Sequence, residues 1–79
     1  MTKEEILDGL KEVIGAVKPK LDMSGVTMES ALLADLGIDS LSMMLMSLAI
    51  ENKFNFQFST QAPFRTVGEV VDYIDGAIN

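Results

Sequence analysis

The chain has 79 residues, 48% of them apolar, with a formal charge of −6, six methionines and neither cysteine nor histidine. Without cysteine there is no disulfide framework or thiolate metal site, and without histidine the usual general base and zinc ligand are missing, which argues against a self-sufficient hydrolase or metalloenzyme. Scattered Lys and Arg in an acidic chain exclude a nucleic-acid-binding surface and favour basic partners, while the length and apolar content fit one packed domain over residues 1–79. Met1 to Glu5 is polar and no apolar run reaches membrane-spanning length, so the expectation is a soluble, cytoplasmic, monomeric protein with no membrane span.

In chain order, Thr2 followed by Glu5 forms a capping-box pattern, and Ile6, Leu7, Leu10, Val13, Ile14 and Val17 then recur at helical spacing as a stripe for burial. The charges between them, including the Asp8 to Lys11 pair, form a solvated face. Lys18 followed by Pro19 ends this helix. From Lys20 to Ile38 the pattern loosens into a long connection with Leu21, Met23, Val26 and Met28 as inward anchors, a turn or two of helix between Ala31 and Leu36, and Gly37 to let the backbone leave that turn.

A second helix is predicted from Ser40 to about Lys53 with Asp39 as its N-cap, because an aspartate there answers an orphan N–H and suits the helix dipole. No residue from Ser40 to Ile50 is charged. Met43, Met46, Ile50 and Phe54 are assigned to the core. Leu41, Met44, Leu45 and Leu48, spaced i, i+3, i+4, i+7, then lie on the opposite face, and a short bundle lacks neighbours to cover both, so this strip reads as a docking or acyl-chain contact surface. Phe54, Phe56 and Phe58 alternate with Asn55 and Gln57, which predicts an extended piece turning its rings into the core. Ser59 to Arg65, interrupted by Pro63, reads as a loop or one weak turn. Thr66 and Glu69 repeat the capping-box pattern before a last stripe of Val67, Val70, Val71, Ile74 and Ile78, with the Tyr73 ring packed and its hydroxyl in water. The predicted fold is all-α, a small bundle of three main helices plus one short helix or turn.

The candidate working atom is the hydroxyl of Ser40. A helix start offers unpaired N–H groups and the positive end of the macrodipole, so an oxygen held there suits a phosphate ester. Taken alone, the same serine is equally a plain first-turn residue or a phosphorylation site.

The whole pattern resembles the acyl carrier protein family. The resemblance covers nearly the full length: helix order, the long first connection, Leu36-Gly37-Ile38 followed by Asp39-Ser40-Leu41 halfway along a short acidic chain, and the closing Thr66-Val67-Gly68-Glu69-Val70-Val71-Asp72-Tyr73-Ile74 segment. It implies that a phosphopantetheinyl transferase, using coenzyme A and Mg²⁺, attaches 4′-phosphopantetheine to Ser40. The arm's thiol would then carry acyl groups as thioesters for fatty acid, polyketide or related biosynthesis. The chain itself would catalyse nothing and would serve acyl-loading, condensing and acyl-transferring enzymes. Asp39 would act as cap and as a contact for the modifying enzyme, and Asp35 as a solvated acid or a recognition residue.

The chain departs from the fatty acid synthesis type, which places acidic residues along the second helix where Ser42 and Leu45 stand here, so partners that read hydrophobic shape more than charge are expected, and a specialised carrier for a dedicated pathway stands as an alternative to the housekeeping role. Two alternatives stay open. One is an aminoacyl or peptidyl carrier, against which Asp39 speaks. The other is an unmodified adaptor binding partner helices through Leu41, Met44 and Leu48.

Overall fold

A computed structural model describes residues 1–58 and 64–79. Among them are three α-helices, α1 (Lys3–Val17), α2 (Ser40–Phe54) and α3 (Val67–Ile78), a 3₁₀ turn at Met23–Gly25, and no strand beyond an isolated antiparallel bridge between Ala31 and Thr66. No helix among the described residues is long and apolar enough to cross a membrane.

Each helix starts where a short polar side chain can answer an orphan N–H. At α1 the capping box closes both ways: the Glu5 N–H donates to Thr2 Oγ1 at 3.2 Å and the Thr2 N–H to Glu5 Oε1 at 2.8 Å. At α3 only half of the expected box forms. Thr66 Oγ1 accepts from the Glu69 N–H at 3.3 Å, but the Glu69 carboxylate takes the Arg65 N–H at 2.9 Å, one residue ahead of the cap. Lys18 caps the end of α1 directly before Pro19, as the sequence predicts.

The stripes converge on one core. Ile6, Leu10 and Ile14 of α1 meet Met46 and Ile50 of α2 and Val67, Val70, Val71 and Ile74 of α3, and Val26, Leu32, Leu36 and Ile38 close it from the long connection. Side chains of this size stabilise by about 1.5–3 kcal/mol each when fully buried, so the core dominates the two exposed ion pairs that tie α1 to its neighbours, Lys3 to Asp72 and Glu12 to Lys53. The ion pairs thus run between helices rather than along the Asp8 to Lys11 face.

The connection between α1 and α2 is long but anchored. Asp22 Oδ1 accepts from the Ser24 N–H at 3.0 Å to cap the 3₁₀ turn, and the buried Ser30 hydroxyl accepts from the Thr27 N–H at 2.9 Å. Its second half is clamped to the start of α3: Leu32 N–H to Arg65 O at 2.9 Å, Val67 N–H to Ser30 O at 3.0 Å and Gly68 N–H to Met28 O at 2.8 Å. Of the predicted anchors Val26 is buried, and Leu21, Met23 and Met28 are half-buried against the core. Residues 32–36 make consecutive turns rather than helix. Asp35 and Leu36 both donate to the Ala31 carbonyl, so no regular ladder propagates.

The three phenylalanines do not form one extended piece. Phe54 is the last residue of α2, buried four positions after Ile50, and Asn55 turns the chain in the left-handed region at φ 56°. The helical period therefore overrides the alternation at its first member. Phe56 and Phe58 follow, half-buried, in a ring cluster with Phe64 and Tyr73 whose centroids lie 5.0–6.3 Å apart. The Phe58 N–H donates to Glu51 Oε2 at 2.8 Å, which folds this segment back on α2. The predicted loop around Pro63 lies outside the described residues.

Two helical glycines should respond oppositely to a methyl group. A Cβ on Gly68 would stand 2.9 Å from the Met28 carbonyl oxygen, where rigid backbone cannot yield, whereas nothing lies within 4 Å of one on Gly15. Gly68→Ala is expected to destabilise by about 1–3 kcal/mol and Gly15→Ala to stabilise by about 0.5–1 kcal/mol in urea unfolding. Equal effects would contradict the close approach of α3 to the connection.

Candidate functional site

The start of α2 is set by four residues, Leu36, Gly37, Ile38 and Asp39. Leu36 and Ile38 are buried on either side of Gly37 and hold the chain against the core. Gly37 has φ +67°, a conformation that side chains resist, and nothing lies near the place of its absent Cβ. Only its backbone angle therefore demands glycine. Its N–H donates to Leu33 O at 3.0 Å, and the Ile38 N–H to Leu32 O at 2.8 Å.

Asp39 then stands in extended conformation as N-cap. Its carboxylate accepts from the Ser42 N–H at 2.9 Å, and its carbonyl accepts the first helical bond, from the Met43 N–H, at 2.8 Å. The Ser42 backbone N–H holds the Asp39 carboxyl below its ordinary value, with smaller contributions from the Ser42 side chain and the Lys18 charge.

Ser40 is consequently the first residue of α2, and it is exposed. With the Ser42 N–H taken by Asp39, the N–H groups of Ser40 and Leu41 have no partner among the described residues, nor has the Ser40 hydroxyl. An accessible alcohol beside two unanswered donors and the positive end of a fifteen-residue helix fits a phosphodiester, which needs a free oxygen to bond and tolerance for one negative charge.

The other predicted residues fall around this point. Asp35 is exposed, yet its carboxylate accepts from the Ala31 N–H at 2.7 Å and so braces the turn leading to α2. Leu41, Met44, Leu45 and Leu48 are 66, 63, 52 and 56% exposed, while Met46, Ile50 and Phe54 are buried and Met43 is half-buried. At 100° per residue the first group lies opposite the second, so α2 is apolar on both faces and only one is covered. Leu33 is 68% exposed in the turn before Gly37 and extends the apolar surface ahead of the helix. A lone leucine in a loop carries no periodic signal, and only the turn geometry brings it out.

The cap predicts a pH dependence. Because the folded Asp39 pKa is lowered, its stabilisation is complete above the ordinary aspartate value of 3.8 and is lost as the pH falls through the folded value. Asp39→Asn keeps a capping oxygen without a titrating charge. The wild-type chain should be the more stable of the two at neutral pH, with the gap in thermal midpoint closing as the pH falls below the ordinary aspartate value of 3.8. A gap independent of pH would mean that the charge contributes nothing.

Residues 4–74 match the family model described as a phosphopantetheine attachment site. The chain is 43% identical over 75 residues to a meromycolate extension acyl carrier protein of Mycolicibacterium smegmatis, covering 92% of this chain and 75% of that protein. It is 40% identical over 78 residues to an acyl carrier protein of Micrococcus luteus, covering 96% and 95%. It is also 40% identical over 77 residues to an acyl carrier protein of an Exiguobacterium species, covering 95% and 96%. With a match of this extent running through both the core stripes and the α2 start, the chain belongs to the acyl carrier protein family.

Proposed function

We propose that this carrier holds its 4′-phosphopantetheine arm as a phosphodiester on the Ser40 oxygen and presents acyl thioesters to partner enzymes in fatty acid or related biosynthesis. The observation that supports Ser40 is its exposed hydroxyl, without a partner among the described residues, at the first residue of α2. The arm's thiol supplies the thioester, which is the chemistry that a chain without cysteine lacks.

The residues of this chain act by position and not by catalysis. Gly37 and Asp39 fix where the helix begins, Asp35 braces the turn before it, and the phosphate charge falls at the helix tip. The phosphopantetheinyl transferase and the acyl-loading, condensing and acyl-transferring enzymes would reach Ser40 across Asp35, Asp39, Leu41, Met44, Leu45 and Leu48. The reading is of a single-domain, cytoplasmic carrier, since coenzyme A and the acyl-handling enzymes must reach it there. The departure from an acidic second helix supports a dedicated pathway over a housekeeping one.

Incubation with coenzyme A, Mg²⁺ and a broad-specificity phosphopantetheinyl transferase should raise the intact mass by one phosphopantetheinyl group, and Ser40→Ala should abolish the gain. No gain in the wild-type chain, or an equal gain in Ser40→Ala, would overturn the assignment.

A further inference from the structure

Asp39 and Ser40 are neighbours in the chain, and both address the same helix tip. The Asp39 carboxylate takes the Ser42 N–H at 2.9 Å, its carbonyl takes the Met43 N–H at 2.8 Å, and the N–H groups of Ser40 and Leu41 have no partner among the described residues. One full negative charge therefore already faces the positive end of α2, which is equivalent to roughly half a unit charge. Loading adds a second. The Ser40 oxygen bonds to the phosphorus that coenzyme A delivers, adenosine 3′,5′-bisphosphate departs, the hydroxyl proton is lost, and the diester that remains carries one negative charge.

Resting on the assignment of Ser40, we infer that loading weakens the Asp39 cap. The carboxylate and the diester compete for one helix terminus, so an unloaded chain with a firmly capped α2 becomes a loaded chain whose first turn is held more loosely.

Where each charge is held decides the direction. In the folded chain the two anions stand on adjacent residues of one fixed turn, and Asp39 cannot swing away without giving up the Ser42 N–H. In the unfolded chain the same two groups turn freely and water separates them. Repulsion is therefore greater in the folded state, and it acts on a carboxyl that the Ser42 N–H holds below its ordinary value. Loading moves that carboxyl back up toward 3.8, and the stabilisation that its charge supplies shrinks accordingly.

The surroundings do not cancel the added charge. Among the described residues, Lys18 at the end of α1 is the charged side chain that acts on the Asp39 carboxyl, and it already favours the ionised form before loading. Asp35, exposed in the turns before Gly37, is a further carboxylate at this end, held by the Ala31 N–H. Glu51 and Lys53 stand near the far end of α2, about 16 Å or more along its axis from Ser40 and beyond a Debye length at physiological salt. Linkage runs both ways: removing the Asp39 charge favours the loaded form over the unloaded one.

The test compares the wild-type chain before and after loading by coenzyme A, Mg²⁺ and a broad-specificity phosphopantetheinyl transferase, with the arm's thiol kept reduced and loading followed by intact mass. Titration of the side-chain carboxyls by ¹³C NMR should place the Asp39 midpoint at higher pH in the loaded form. Glu5 also answers a backbone N–H at a helix start, but it lies near the opposite end of α1 from Lys18, about 20 Å along the axis, and should titrate alike in both forms. At neutral pH the gap in thermal midpoint between wild type and Asp39→Asn should shrink by about half or more on loading, while the gap for Glu5→Gln should not change. Should Asp39→Asn resist loading, the wild-type titration decides alone. An Asp39 midpoint that stays in place or falls on loading, or an Asp39→Asn gap that loading leaves unchanged, overturns the inference while leaving Ser40 as the loaded residue. If the wild-type chain takes no arm at all, the assignment of Ser40 falls, and this inference with it.

Discussion

One hydrogen bond organises the functional end of this protein: the Ser42 N–H donated to the Asp39 carboxylate. It decides at which residue α2 begins. Were the helix to start one residue earlier, Ser40 would be its second residue instead of its first, and the unanswered donors would belong to Asp39 and Ser40. The bond needs Asp39 in extended conformation, which in turn needs the chain to arrive from Gly37 at positive φ and from Ile38 pinned in the core. A buried leucine, a left-handed glycine, a buried isoleucine and a capping aspartate thus act as one device, whose product is a serine hydroxyl held clear of other side chains.

The same region shows how a small bundle divides stability from recognition. α2 is anchored by Met46, Ile50 and Phe54, with Met43 and Ala49 in partial support. Its remaining large apolar side chains face outward and contribute nothing to the core, although they sit on the most apolar stretch of the sequence. A chain of 79 residues has too little mass to bury such a helix on all sides. Exposed leucine at this density is costly for solubility, and the net charge of −6, five units of it on α1 and α3, offsets it by keeping copies apart.

Much of this was legible in the sequence where the signal is local. Thr2 with Glu5, Asp39 before Ser40, and the stripes of α1 and α3 each combine a cap with a helical period, and all appear as read. The two faces of α2 were also legible, because in a short chain the spacing of Leu41, Met44, Leu45 and Leu48 leaves them no neighbour. What the sequence did not disclose depends on pairing between distant segments. The Ala31 to Thr66 bridge and the hold of Met28 on Gly68 join residues thirty-five and forty positions apart, and Arg65 takes the place expected of the Thr66 N–H at Glu69. Asp35, read as a solvated acid or a recognition residue, is exposed but also accepts the Ala31 N–H, a bond that exists only once the turns of residues 32–36 form. Phe54 misled through its neighbours, since an alternation of three rings looks extended until the helix claims the first.

The account rests on the arm being anchored at the helix tip, and fragmentation of the loaded protein by tandem mass spectrometry tests this most directly. The added group should be found on residue 40 alone. Recovery of that group on Ser42 or Ser47, both further along α2, or on Ser30 in the connection, would contradict it.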